Sequence, residues 1–229
     1  MKQQQTECKR CGICCQKGGP ALHGQDLALV RSGHLPIEDL ITIRHGELAH
    51  NPLTGRIEAV AAELVKIRGS GQEWCCCYYE PTSKGCSIYG NRPLSCGVLK
   101  CWQPEETLAL VGRDLLSRLD ILEEDDPLRI HVLEHERLCP CPDMGEVEKI
   151  LTGPAASALR SLEVLVNSDL ALRDRLVREC NLSLARELFL FGRPIFQLLQ
   201  PFGVLVSESP QGLRLTMRRE YSNGEAYGG

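Results

Sequence analysis

The sequence predicts an α+β protein: a small irregular domain with short strands and helices, then a helical region, then a C-terminal β-hairpin. Three observations carry this. Twelve of the 13 cysteines lie before residue 142, in clusters at 8–15, 75–101 and 139–141. Beyond residue 150 the chain turns leucine-rich at helical intervals. Finally, Val204-Leu205-Val206 and Leu213-Arg214-Leu215-Thr216-Met217 flank the turn signal Ser209-Pro210-Gln211-Gly212. The expected divisions are 1–150, 151–220 and a glycine-rich flexible tail over 221–229.

With 229 residues, 43% of them hydrophobic, the chain is long enough for one sizeable core. Aromatics are 5%, so that core is expected to be mainly Leu, Val, Ile and Ala. No apolar run approaches the roughly 20 residues of a membrane span. Met1-Lys2-Gln3-Gln4-Gln5-Thr6 has no apolar stretch behind its charge, so no secretory signal is expected and a cytoplasmic location follows. The formal charge of -4 shows no basic footprint for nucleic acid. Lys9-Arg10 and Arg218-Arg219 read as solvated charge or as compensation for thiolates.

In order, residues 1–20 read as irregular, with turns at Gly12, Gly18, Gly19 and Pro20. Residues 24–50 are expected to be helical, interrupted at Gly33 and Pro36. His23, His34, His45 and His50 fall there, in no ligand spacing, and are read as exposed or capping residues. Residues 56–67 look strand-like. A turn at Gly69-Ser70-Gly71 then predicts a returning strand over 72–79 that carries Cys75-Cys76-Cys77. Asn91-Arg92-Pro93 is a turn or helix start. A helix is expected over 104–122, from Leu108, Leu110, Val111, Leu115, Leu116, Leu119 and Leu122. Glu123-Glu124-Asp125-Asp126 would end it before Pro127. Asp143 is the expected N-cap of a helix running to Leu151, with Glu146 completing a capping box. Further helices are expected over 155–166, 168–179 and 183–199, the last split at Gly192 and Pro194. Cys180 is read as a buried apolar residue.

The odd cysteine count and the expected reducing compartment argue against a disulfide framework and for metal ligation. Cys8, Cys11, Cys14 and Cys15 follow C-x2-C-x2-C-C. Thiolate is a soft ligand, suited to zinc, Cu(I) or iron–sulfur clusters. The C-x2-C-x2-C run with a remote Cys-Pro, here Cys141-Pro142, matches ferredoxin ligation. Pairs of C-x2-C type equally suit tetrahedral zinc. Spacing alone does not choose between them. In an extended segment Cys14 and Cys15 would point to opposite sides, which suggests two metal positions. Packed thiolates repel one another, so Lys9, Arg10, Arg92 and the N–H groups of Gly12 and Gly97 are candidate compensators. Arg92 has partnership with local carbonyls as its alternative role. No Ser/His/Asp set, phosphate loop or carboxylate pair stands out.

Cys8-x2-Cys11-Gly12-x-Cys14-Cys15, a Cys-x-Tyr-Tyr segment and Gly85-Cys86-Ser87-Ile88-Tyr89-x2-Arg92-Pro93-Leu94-x-Cys96 together resemble the CxxCxxCC (YkgJ-type cysteine-cluster) family of zinc- or iron-chelating domains. The resemblance covers roughly residues 6–150, ending at Cys141-Pro142-Asp143-Met144-Gly145. Asp143 stands where that family usually has glycine, and Gly97 where it usually has arginine. The ligands this implies are Cys8, Cys11, Cys14, Cys15, Cys76, Cys86, Cys96 and Cys141. Cys76 aligns better than Cys77, because Tyr78-Tyr79 then fall two and three positions on. Cys75, Cys77, Cys101 and Cys139 are extra. The expectation is an iron–sulfur or iron protein with one or two clusters of the 4Fe-4S type, acting in electron transfer or as accessory to a larger enzyme with a protein or redox partner. One alternative is a zinc-binding structural or interaction module. The other is a metal-dependent protein-modifying enzyme, since some family members are flagellin lysine methylases.

Overall fold

The computed structural model describes residues 5–71, 73–153 and 156–218, so the expected tail at 221–229 lies outside the described residues. Helix α1 is a single turn, Ile13–Gln16, and α2 spans Leu27–Arg31. Strands β1 (Leu40–Ile43), β2 (Leu48–Asn51), β3 (Arg56–Ala59) and β4 (Leu64–Ile67) follow. Then come the two-residue strands β5 (Gly69–Ser70), β6 (Cys75–Cys76), β7 (Tyr79–Glu80) and β8 (Gly85–Cys86). Short helices α3 (Leu94–Val98), α4 (Glu105–Leu108) and α5 (Arg118–Ile121) lead to α6 (Leu128–Leu138) and α7 (Met144–Leu151). The chain ends in α8 (Ala156–Glu179), α9 (Leu184–Phe191), α10 (Ile195–Leu199) and the hairpin β9 (Val204–Ser209) and β10 (Gly212–Met217). All the sheets are two-stranded and antiparallel, which with the helices makes the protein α+β with a C-terminal hairpin.

Two expectations for regular helices fail for identifiable reasons. Over 24–50 the helix stops at Arg31; Gly33 takes φ 78° and Pro36 follows. Leu40-Ile41-Thr42-Ile43 is then a strand, buried along its whole length. A short apolar run buried on both faces has no period that separates strand from helix. Its pairing decides it: Leu40 faces Ile67, Ile41 faces Lys66, Thr42 faces Val65 and Ile43 faces Leu64. Over 104–122 the expected helix breaks at Gly112 (φ 71°) and Asp114 (φ 47°). Leu115 and Leu116 run extended there, and Leu116 exchanges backbone hydrogen bonds with Leu22 and Val65. Ser117 restarts the chain as α5, with Asp120 closing a capping box.

Elsewhere the local signals hold. Asp143 Oδ1 accepts the Glu146 N–H at 3.0 Å and α7 ends at Leu151, although Glu146 turns its own carboxylate to Lys149. Gly192 (φ 65°) and Pro194 separate α9 from α10. The two helices expected over 155–179 are one, because Asn167 is not a break. Its side chain donates to Glu163 O and Leu213 O and accepts the Leu213 N–H, clamping β10 onto α8.

Alternation across the β1–β4 pair gives its two faces different work. Leu40, Val65 and Ile67 join a core with Leu22, Leu176, Phe189, Leu190 and Phe191, so residues from both sides of position 150 share it. The opposite face, Ile41, Ile43, Leu64 and Lys66, floors an open groove. A second core joins α7, α10 and the hairpin through Met144, Val166, Ile195, Leu199 and Leu215. Between them, buried Arg44 grips Glu136 with two hydrogen bonds (2.7 and 3.0 Å), and buried Arg118 grips Glu63 while also reaching Glu136. Each guanidinium keeps carboxylate and carbonyl partners, which is what lets it stay charged in an apolar interior.

Candidate metal centre

All 13 cysteines are free thiols, and five from four different elements converge. Cys14 and Cys15 ride on α1, Cys76 on β6, Cys86 on β8 and Cys96 on α3. Their charges act on one another's protonation. Burial pushes Cys15 up to about 12, helped by the charges of Cys14, Cys76 and Cys86. Burial also pushes Cys96 up to about 12, with Cys76, Cys14 and Cys86 adding and Arg92 opposing. Cys86 is raised by burial, Cys76 and Cys14, against its hydrogen bond from the Ile88 N–H and the charge of Arg92. One thiol goes the other way. A hydrogen bond from Cys77, the Tyr78 backbone N–H and the charge of Lys66 bring Cys76 down to about 7, despite burial. Burial foremost, with the neighbouring thiols' charges adding, favours the neutral forms of Cys15, Cys86 and Cys96, while Cys76 ionises more readily; a cation entering the site would favour the thiolates. That donor set fits a thiophilic metal or an iron–sulfur cluster.

Glycines and aromatic rings hold the elements in place. Gly12 caps α1 at φ 78°, and a Cβ there would lie 2.4 Å from Tyr79 Cε2. Tyr79 pairs with Cys86 across β7–β8, so the bare Gly12 backbone is what brings the N-terminal segment against that hairpin. The hairpin β5–β6 sets Cys76 opposite Gly69, and a Cβ at Gly69 would meet the Trp74 carbonyl at 2.5 Å. Arg10, inside the first cysteine run, and Trp74, just before the second, both hold positive φ (52° and 53°), a cost that non-glycine residues bear where surroundings over-determine them. Arg10 and Arg92 both sit over the Tyr89 ring, at 4.3 and 3.7 Å. Arg92 Nε donates to Tyr89 O at 2.9 Å, so it serves local carbonyls as well as opposing the thiolate charge.

The expected ligands are therefore not all alike in placement. Cys8 and Cys11 are exposed on the segment leading into α1, where Cys8 Sγ accepts the Arg10 N–H at 3.4 Å. Cys14 and Cys15 lie on a helical turn, not an extended segment, with sulfurs 4.0 Å apart. That geometry removes the reason given above for assigning them to separate metals. Cys141 packs in the second core; the charges that act on it are Arg44, Glu47, Glu136 and Arg193, and burial foremost pushes it up to about 12. Of the extra cysteines, Cys75 Sγ reaches Cys15 O at 3.5 Å, Cys77 neighbours Cys76, and Cys101 is exposed. Cys180 is half-buried against the first core.

Among the described residues, one group of three donor side chains brings its ligand atoms within 4.8 Å of one another: His135, Cys139 and Asp169, all buried. No sequence spacing announces it, since Asp169 arrives from α8. It is a filled ion-pair network. Asp169 already accepts from His135 Nε2 (2.7 Å), Arg173 Nε (2.9 Å) and the Ile195 N–H (3.0 Å). His23, read above as exposed or capping, is buried at the start of a short 3-10 turn; its ring contacts Ser95 Oγ at 2.8 Å and Arg113 O at 2.9 Å. His34, His45 and His50 are exposed.

Among the described residues no helix is long and apolar enough to cross a membrane. No curated protein and no solved structure matches the chain. Residues 7–112 match the model of the CxxCxxCC family, described as "Putative zinc- or iron-chelating domain". That span takes in seven of the eight expected ligands and every thiol of the convergent set, and ends before Cys141. Over residues 7–112 the chain is similar to the CxxCxxCC family, a zinc- or iron-chelating kind of domain to which its clustered thiols are suited.

Proposed function

We propose that the convergent cysteines hold iron as an iron–sulfur cluster, and that the protein serves electron transfer or is an accessory to a larger enzyme system, with a protein or redox partner. The supporting observation is the spacing of the donors. A single tetrahedral zinc with Zn–S near 2.3 Å draws its sulfurs to about 3.8 Å from one another. Among the described residues no three cysteine sulfurs come within even 4.8 Å, yet Cys14, Cys15, Cys76, Cys86 and Cys96 share one electrostatic neighbourhood. A multi-iron cluster takes ligands on separate irons and suits that wider ring. Free thiols in this number go with a reducing, cytoplasmic compartment.

One observation favours a zinc module as the second reading: Cys14 and Cys15 sit at 4.0 Å, close to the zinc separation. Anaerobic purification separates the two. The iron–sulfur reading expects brown protein with stoichiometric iron and acid-labile sulfide, and visible absorption bleached by dithionite. Colourless protein with one zinc per chain and no sulfide would sink it.

A further inference from the structure

His23 and Ser95 meet although no sequence spacing joins them. Residues 22–24 run beside 114–116: the Leu116 N–H donates to Leu22 O and the Gly24 N–H to Asp114 O. His23 is buried there, 2% exposed, and its own N–H donates to Asp26 Oδ2 at 2.9 Å. Asp26 Oδ1 accepts the Leu94 N–H at 2.8 Å, so the same carboxylate fixes the start of α3. Ser95, one residue on, then lies with Oγ 2.8 Å from His23 Nε2.

The tautomer of the ring follows from its other contact. His23 Nδ1 lies 2.9 Å from Arg113 O. A carbonyl only accepts, so Nδ1 carries the hydrogen; in the neutral ring Nε2 is then an acceptor, and Ser95 Oγ donates to it. Among the described residues Ser95 Oγ has no other hydrogen bond. A serine hydroxyl donating to an imidazole whose far nitrogen is held by a third group is the arrangement of an activated nucleophile. Both side chains line the groove on the outer face of β1–β4, which encloses about 870 Å³, within the ordinary size of a small-molecule site. Thr107 lines it too, and its hydroxyl is buried with no hydrogen-bond partner among the described residues, a gap that a bound carbonyl oxygen would fill.

We infer that Ser95 and His23 form an esterase site for carboxylic esters with a short apolar acyl group. Leu110, Val111 and Leu115, which line the same groove, supply the apolar contact. Ser95 Oγ bonds to the acyl carbon as its proton passes to His23 Nε2. The ester's alkoxy group leaves with that proton as an alcohol. Water next bonds to the acyl carbon as Nε2 takes its proton; the acyl–Oγ bond breaks, Oγ recovers the proton and the free acid departs. An ester suits a ring backed by a carbonyl and not by a carboxylate, because an alcohol leaves with less help from an acid than an amine does.

Full-length protein as purified is treated with an alkyl fluorophosphonate, and the modified peptide is identified by mass spectrometry. One adduct per chain is expected, on Ser95, with parallel loss of p-nitrophenyl butyrate hydrolysis. Ser95→Ala should lose the adduct, and His23→Gln should slow its formation about a hundredfold or more. Both are expected to keep the metal content of the native protein, measured in the same samples because Cys96 is the next residue. No adduct on Ser95 in the native protein would overturn the inference and leave the metal reading standing. So would ester hydrolysis undiminished by Ser95→Ala, which would then belong to the free thiols, or an adduct formed as fast in folded His23→Gln. Should either variant lose its metal or fail to fold, the presence or absence of the adduct on the native protein decides alone.

Discussion

At the residue scale the centre depends on where backbone comes close. Gly12 combines a left-handed φ with the Tyr79 ring where a side chain would be. Gly12→Ala should therefore cost about 1–3 kcal/mol and lower the metal-to-protein ratio. Unfolding curves and elemental analysis measure both, and a fully loaded, equally stable variant would contradict the placement. Cysteine variants divide by neighbourhood. Cys96→Ala takes a thiol out of the shared ring, so it should lose metal and destabilise the fold, because ligation free energy is folding free energy in such sites. Cys180→Ala touches only apolar packing and should keep its full metal complement. The soft-metal chemistry was legible in the cysteine runs, since C-x2-C-x2-C-C has few other uses. That Cys76 ionises more readily than an ordinary thiol was not, because it follows from Cys77, the Tyr78 N–H and Lys66 meeting in space.

At the element scale, turns and caps were legible and periodicity was less so. Pro194, Gly192, Asp143 and the Ser209–Gly212 turn work through their own backbone and nearest neighbours, which sequence displays. Leu40–Ile43 reads as either helix or strand until β4 pairs with it. Asn167 shows the converse. In sequence it suggests a helix end; in the fold its side chain is occupied by the β10 backbone, and α8 runs on. A Cβ at Gly212 (φ 115°) would lie 2.3 Å from Asn167 Oδ1, so the two residues form one joint. Asn167→Ala and Gly212→Ala should each cost about 1–3 kcal/mol. Their costs should not add, because removing the amide relieves the clash with the new methyl. Strict additivity in a double-mutant cycle would show the joint to be misread.

At the scale of the whole molecule, the buried ion pairs make stability depend on pH. Despite burial, His135, Arg173 and the Ile195 N–H hold Asp169 down to about 2, against an ordinary 3.8. A depressed carboxylate stabilises the fold above its unfolded pKa and loses that contribution as pH falls through the folded one. About 2 kcal/mol should therefore disappear between about pH 4 and pH 2. His135, kept neutral mainly by its burial, acts in the same sense at higher pH, since unfolding lets it take up a proton. Asp169→Asn should flatten the acid limb and leave Arg173 with Glu187 as its remaining charge partner, a cost of about 3 kcal/mol at neutral pH. Denaturant titrations from pH 2 to 7 check both; an unchanged acid limb would contradict the assignment.

Read alone, the sequence determined what acts over a few residues: the cysteine runs and the soft-metal chemistry they imply, the caps, the helix break at Gly192-Pro194, the terminal hairpin and the α+β class. Tertiary structure decided what depends on partners distant along the chain. It set β1 against β4, made α8 one helix, put Asp169 beside His135 and gathered thiols from 14–96 into one electrostatic neighbourhood. The reason is physical. Backbone preference is carried by each residue and its neighbours, whereas burial, charge pairing and pKa belong to whatever the fold brings alongside.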